Sequence, residues 1–92
     1  MTVNQHIMRL PSILSTYGVS RAFIYKQVAD GLFPSQVNLG ARSVGWLKSE
    51  VECVMLARIN GYSNDKIQTL VSRLKEERKE KLSLSLLSGL EG

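Results

Sequence analysis

The part of the sequence that most constrains the fold is a glycine turn between two short helical segments. Pro11 suits the first turn of a helix, because its missing N–H needs no partner there. Gly18 ends that helix, since glycine adopts the left-handed conformation at low cost, and Ser20 is a good N-cap for the next one. Such brief helices around a turn are typical of a helix-turn-helix, whose second helix normally enters the DNA major groove. The predicted helices cover residues 11–17 and 21–29.

The second of these helices has two chemically distinct faces. Ile24 and Val28, four residues apart, form its inward stripe. On the other face, an arginine at the helix start can bond guanine through two hydrogen bonds or hold a phosphate, and polar residues one turn later can reach the backbone or base edges. The alternative is an ordinary solvated face, since arginine and lysine are common on any surface. We predict DNA contacts from Ser20, Arg21, Ala22, Tyr25 and Lys26.

Residues 36–47 have the pattern of a two-stranded β-hairpin. Pro34 prevents the preceding helix from continuing, and residues 36–39 alternate polar and apolar side chains, as a strand does. Residues 40–43 then form a turn with Arg42 at its tip, and residues 44–47 can return as the second strand. A hairpin in this place is a wing, whose arginine lies along phosphates or enters the minor groove, although Arg42 also fits an ordinary hairpin. Trp46 is predicted to be a core residue that anchors the wing.

Two more helices are predicted after the hairpin. The first covers residues 48–60, with Glu50 and Glu52 in its early turns, near the positive end of the helix dipole. The second runs from Ser63 or Asn64 to about Lys81, with nearly balanced charges and an expected ion pair between Glu77 and Lys81. Its apolar stripe either folds back onto the domain or binds a second copy or another protein. The predicted inward residues are Leu47, Val51, Val54, Met55 and Ile59, then Ile67, Leu70, Val71 and Leu74.

A chain of 92 residues has room for one domain with one modest core. Its formal net charge of +4 suits a polyanionic partner, although charge alone is weak evidence. The expected fold class is mainly α with a small β-hairpin wing. We assign residues 1–8 to a flexible leader, 9–61 to a winged helix-turn-helix domain, 62–82 to an amphipathic helix and 83–92 to a flexible tail.

Residues that support catalysis or metal binding are scarce. His6 is the sole histidine and Cys53 the sole cysteine, which leaves no internal disulfide, no cysteine–histidine zinc cluster and no catalytic triad. The glycine-rich residues 39–45 lack the lysine of a phosphate-binding P-loop. The chain also has neither a signal-peptide pattern nor the run of roughly 20 apolar residues that a membrane span needs. We therefore expect a cytoplasmic, non-enzymatic protein without metal or cofactor.

Seven short motifs follow one another over residues 9–59: Arg9-Leu10-Pro11, Val19-Ser20-Arg21, Ile24-Tyr25, Gly31-Leu32-Phe33-Pro34, Leu39-Gly40, Val44-Gly45-Trp46 and Ser49-Glu50-Val51-Glu52. As an ordered series they resemble the AlpA family of prophage regulators. The resemblance implies a MerR-like or excisionase-like winged helix-turn-helix, in a family that activates integrase expression or promotes excision as recombination directionality factors. It places DNA contacts at Arg21, Tyr25 and Lys26, and at Arg42 and Ser43 in the wing.

Two features depart from the pattern of that family. Phe23 stands where a small polar residue is usual, which alters the surface expected to face DNA. Residues 61–74 extend beyond the typical short member and are similar to the helix that follows the wing in MerR-type regulators. That helix also opens with a glycine–aromatic–serine turn, here Gly61-Tyr62-Ser63.

Two functions from different classes fit these observations. The first is a factor of a prophage or genomic island that binds double-stranded DNA and acts in excision or transcription. Several copies would bind side by side and bend the DNA, with self-association or integrase contact as further interactions. The second is a protein-interaction adaptor, in which the fourth helix binds a partner and DNA binding is secondary. No set of residues supports an enzyme.

Overall fold

The computed structural model describes the backbone of residues 7–91 and the side chains of residues 7–80. This part of the chain is mainly helical, with four helices and a small three-stranded antiparallel sheet. The order of the predicted helices and hairpin is confirmed, and α2 has the predicted bounds. The elements are β1 (Ile7–Met8), α1 (Leu10–Tyr17), α2 (Arg21–Ala29), β2 (Val37–Gly40), β3 (Ser43–Leu47), α3 (Lys48–Ile59) and α4 (Asn64–Glu91).

The turn between α1 and α2 has the geometry that its residues predict. Gly18 is left-handed, with a φ of 65°, and its N–H donates to the carbonyl oxygen of Leu14 at the end of α1. The Ser20 hydroxyl oxygen accepts a hydrogen bond of 3.1 Å from the backbone N–H of Phe23, which caps α2. Both helix ends are therefore fixed by local interactions, which is why the sequence was sufficient to locate them.

The sheet has one more strand than the predicted hairpin. Its order is β1-β3-β2, so β3 lies in the centre, and Met8 of β1 pairs with Trp46 of β3. On the other side, Asn38 pairs with Val44 and Gly40 with Ser43, with a register irregularity between Asn38 and Gly40. Ile7 and Met8 thus form a strand and not part of the flexible leader predicted for residues 1–8, which corrects the prediction for these two residues. A strand of two residues is too short to display an alternating pattern.

Trp46 is fully buried at the centre of the core, as predicted. Its indole N–H donates a hydrogen bond of 2.9 Å to the carbonyl oxygen of Pro34, and the Phe33 ring meets it edge-on at 6.3 Å between centroids. Burial of an indole requires a partner for its N–H, which this bond provides. The surrounding buried residues come from every helix and from the loop after α2: Leu10, Ile13, Ile24, Leu32, Val51, Val54, Ala57, Ile67 and Val71.

Helix α3 buries Val51 and Val54 as predicted, but the prediction for Ile59 is wrong. Ile59 is 74% exposed, and Ala57 takes the inward position in that turn. Five residues separate Ile59 from Val54, and a helix that turns about 100° per residue places the two about 140° apart. Apolar spacing alone therefore did not identify the buried position in the last turn of α3.

Helix α4 folds back onto the domain, which decides between the two interpretations of its apolar stripe. Ile67 and Val71 are buried in the common core, and Leu70 and Leu74 pack against it. The backbone stays helical to Glu91, well past the predicted end near Lys81 and through residues that were expected to form a tail. The expected ion pair between Glu77 and Lys81 involves Lys81, whose side chain lies outside the described residues. Across the described residues, no helix is both long and apolar enough to span a membrane.

The close approach of β1 and β3 depends on the missing side chain of Gly45. A Cβ atom there would lie 2.5 Å from Cγ2 of Ile7 and 3.2 Å from the carbonyl oxygen of Met8. We expect Gly45→Ala to lower the free energy of unfolding by about 1–3 kcal/mol, because the added methyl overpacks this contact. Urea denaturation followed through the fluorescence of Trp46, the single tryptophan, measures the effect.

Ile7→Ala removes the Cγ2 atom that the new methyl would meet. The double variant Ile7→Ala/Gly45→Ala should therefore lose less free energy than the two single variants together. Strictly additive losses, or a Gly45→Ala protein as stable as the original, would show that the strand contact does not require glycine.

Candidate nucleic-acid interface

The outer face of α2 is open to solvent over its whole length. Arg21, Ala22, Tyr25 and Lys26 are all exposed, whereas Ile24 on the opposite side is buried. We call these four exposed residues the α2 face. Because a helix repeats every 3.6 residues, the buried and exposed positions alternate as the two-faced pattern predicts. The α2 face is therefore accessible to a ligand as large as a DNA duplex.

The amino-terminal end of α2 has the electrostatics of an anion site. The first backbone N–H groups of a helix point outward, and the helix dipole adds partial positive charge there. No acidic residue lies in the first turn of α2, and Arg21 adds a full positive charge at its first position. The Ser20 hydroxyl oxygen accepts the backbone N–H of Phe23, so Ser20 caps α2 and fixes the orientation of its first turn.

Tyr25 connects the α2 face to the core. It is 39% exposed, and its ring centroid lies 6.4 Å from that of Trp46, with the ring planes tilted by 58°. The side chain is thus held on one side and open on the other. Such a partly buried aromatic residue presents its free edge in a defined orientation, at little cost in side-chain entropy.

Lys26 forms an ion pair with Asp30 one turn further along α2. The ammonium nitrogen and the carboxylate oxygen are 3.3 Å apart, and the Lys26 side chain is 75% exposed. An exposed pair of this kind contributes little to stability, because water and salt screen it. Lys26 can therefore exchange Asp30 for a phosphate at small cost.

The turn between β2 and β3 presents Arg42 at its tip. Arg42 is exposed and has a φ of 62°, a left-handed conformation that is uncommon outside glycine. Gly40 before it has a φ of 132°, and its N–H donates a hydrogen bond of 3.0 Å to the Asn38 side-chain oxygen. Ser43, which follows Arg42, is half-buried at the start of β3. Asn38 therefore shapes this turn, a role that sequence reasoning missed.

Trp46 links the turn to the α2 face. Its ring contacts Tyr25, and it lies three residues after Ser43 on β3, which is about 10 Å along an extended strand. The two groups of predicted residues thus come from separate parts of the sequence but share one buried anchor.

Most of the net positive charge of the described chain lies in the residues before α3. Before α3, the described residues include the cations Arg9, Arg21, Lys26 and Arg42, and Asp30 as the one acidic side chain. Residues 48–80 carry nearly equal numbers of both signs. Arg9, exposed just before α1, is a further candidate that the sequence reasoning used only as part of a motif. A basic region of this kind favours a polyanion.

The described residues offer no cluster of three or more histidine, cysteine or acidic side chains that could hold a metal ion. Cys53 is free and half-buried in α3. Partial burial raises the pKa of Tyr17 above its usual 10.0, and the nearby Glu52 carboxylate adds to this effect. The Tyr17 phenol therefore stays protonated at neutral pH and provides no base.

Comparison with known proteins identifies relatives of this chain. Over 57 residues, 62% of this chain and 65% of the relative, it is 42% identical to an uncharacterized protein, ORF88, of Enterobacteria phage P4. Over 52 residues, 50% of this chain and 74% of the relative, it is 36% identical to the DNA-binding transcriptional activator AlpA of Escherichia coli K12. The match to the phage P4 protein thus spans slightly less than two thirds of that protein's length.

A family model described as prophage CP4-57 regulatory protein (AlpA) matches residues 6–59. The match begins just before β1 and ends with α3, so it contains the α2 face and the β2–β3 turn, whereas α4 lies beyond it. Because it covers more than half of the chain, this protein belongs to the AlpA family of prophage regulatory proteins.

Proposed function

We propose that this chain is a sequence-specific, double-stranded DNA-binding regulator of a prophage or related mobile element. The observation that carries the proposal is the α2 face, which is exposed, basic at its start and free of acidic residues in its first turn. The relative from Escherichia coli, described as a DNA-binding transcriptional activator, supports the same function. A regulatory family also agrees with a protein that catalyses no reaction, and such a regulator acts where bacterial DNA is, in the cytoplasm.

In this proposal α1, α2 and the β2–β3 hairpin act as a winged helix-turn-helix. The α2 face enters the major groove, where a guanidinium matches the two acceptors of guanine, O6 and N7. Arg21 is the residue that reads sequence, Tyr25 and Lys26 contact the backbone or base edges, and Ala22 allows close approach. Ser20 fixes the helix end beside a phosphate.

The hairpin turn acts as the wing in this arrangement. Arg42 reaches a phosphate or the adjacent minor groove, and Ser43 lies beside it at the start of β3. Contacts of this kind position the protein on the duplex, whereas base contacts from α2 give specificity.

A single small module of this type buries about 600–1,000 Å² of its surface on DNA, which limits the affinity of one copy. Tight binding then requires several copies on repeated sites, a mode that also bends DNA. We therefore include self-association on DNA in the proposal, with integrase as a further partner when the protein acts in excision.

Two regulatory roles share this interface. As a transcriptional regulator the protein binds a promoter, such as that of an integrase gene, and as a recombination directionality factor it binds beside an attachment site. Footprinting across both regions separates the two roles. The adaptor alternative gains no support, because α4 uses its apolar stripe within its own domain.

Replacement of Arg21 tests whether this side chain recognises a DNA base. We expect Arg21→Ala to weaken binding to a selected duplex by about 1–3 kcal/mol and to relax specificity at one position. Fluorescence anisotropy with the selected duplex and with single-base variants measures both effects. Arg73→Ala, which removes the same charge from an exposed position on α4, is the matched control and should leave affinity nearly unchanged. Equal losses for Arg21→Ala and Arg73→Ala would refute the role of the α2 face.

Replacement of Lys26 tests a phosphate contact. A protein that loses one phosphate contact releases about one counterion fewer, so the slope of log affinity against log salt should fall by about 0.9 for Lys26→Ala. The loss of affinity should be similar for specific and non-specific duplexes. Lys75→Ala on α4 serves as the control with the same change of charge. An unchanged salt slope for Lys26→Ala would remove Lys26 from the interface.

A further inference from the structure

We propose that α4 is a brace that sets the position of the wing relative to the α2 face, and that Arg78 is its main positioning residue. This inference rests on the proposed function, because the wing matters only if it contacts DNA. It gives α4 a role in recognition without any contact between α4 and DNA. The family match ends at Ile59, so this role concerns residues outside the matched region.

The middle of the connection between α2 and β2 is packed into the domain. Leu32, Phe33 and Pro34 are buried, and the carbonyl oxygen of Pro34 accepts the indole N–H of Trp46. This connection determines how far β2, and with it the wing, lies from α2.

Helix α4 binds both ends of that connection through side chains. The Gln68 amide donates a hydrogen bond of 2.9 Å to the carbonyl oxygen of Asp30, directly after α2. The Arg78 guanidinium donates one of 3.1 Å to the carbonyl oxygen of Ser35, two residues before β2. Ten residues of helix separate Gln68 from Arg78, about 15 Å along a rigid axis. The helix therefore fixes the distance between the end of α2 and the start of β2.

Arg78 also holds the far end of the hairpin. Its Nε lies 3.3 Å from one carboxylate oxygen of Glu50 and its Nη2 bonds the other, so the pair is bidentate. Glu50 is only 6% exposed and lies three residues after β3, at the start of α3. One guanidinium therefore connects the residue that leads into β2 with the residues that follow β3. Both stems of the wing are fixed at the same point on α4.

The buried state of Glu50 gives this contact its specificity. A buried carboxylate requires charged and hydrogen-bonding partners, and the planar fork of arginine satisfies both of its oxygens at once. A second described ion pair, between Glu76 and Lys79 at 3.9 Å, is exposed and joins two residues of α4 itself. It offers no comparable constraint, which makes it a matched control.

The test is a pair of double-mutant cycles in the full chain. Arg78→Ala alone leaves Glu50 without its partner and risks unfolding, so the polar brace is removed with Glu50→Leu/Arg78→Met, which replaces both groups with apolar ones of similar size. The control background is Glu76→Leu/Lys79→Met. In each background Arg42→Ala and Arg21→Ala are added, and affinity for a selected duplex is measured by fluorescence anisotropy.

We expect Arg42→Ala to weaken binding about tenfold in the original and control backgrounds but less than about twofold without the brace, because a displaced wing no longer delivers Arg42 to DNA. Arg21→Ala should have the same effect in all three backgrounds, within about twofold. Equal losses for Arg42→Ala with and without the brace would overturn the proposal.

Hydrogen exchange of the free protein gives a second readout that does not depend on DNA. Loss of the brace should speed exchange at the β2 and β3 amides about tenfold or more, with little change in α2. Exchange that is faster by the same factor throughout the protein, or an unchanged exchange rate in the hairpin, would mean that Arg78 does not specifically hold the hairpin. Either result would overturn the proposal. If the original protein binds no duplex, the proposed function fails, while this measurement still tests the brace.

Discussion

The hydrogen bond from the Trp46 indole to the Pro34 carbonyl holds the α2–β2 connection against β3. Trp46 also contacts Tyr25 and pairs with Met8 across the sheet. Because a buried indole has one donor and one defined ring plane, it tolerates few arrangements of its neighbours. The packing around this one side chain joins the α2 face to the β2–β3 hairpin, and Arg78 binds the same connection through the carbonyl oxygen of Ser35.

Elements whose ends are fixed by local chemistry were predictable from the sequence. Gly18 and Ser20 located the turn between α1 and α2, and the alternation around a glycine-rich turn located the β2–β3 hairpin. What failed depends on contacts between distant residues. Strand β1 exists because Gly45 lets it approach β3, a fact that two residues of sequence do not encode. The error at Ile59 arose because apolar spacing alone does not say which face of a helix has a neighbour.

The candidate site divides in the same way. The exposure of the α2 face and the place of Arg42 at a turn followed from helix period and turn residues. Glu50 was interpreted as an acid favourable to the helix dipole, yet it is buried and paired with Arg78, 28 residues away. A pair at that separation leaves no local pattern. The exposure of the residues predicted to touch DNA thus follows from local sequence patterns, whereas long-range contacts such as that of Glu50 with Arg78 emerge only from the fold.

A map of the DNA-contacting surface on the protein itself tests most directly whether the α2 face and the β2–β3 turn bind DNA. Amide chemical shifts of the labelled protein are followed by NMR as a duplex selected from a random pool is added. We expect the largest changes in residues 20–26 and 40–44, with little change at the exposed Leu56 and Ile59 of α3. Largest changes on α3 or α4, with α2 unaffected at saturation, would contradict this expectation.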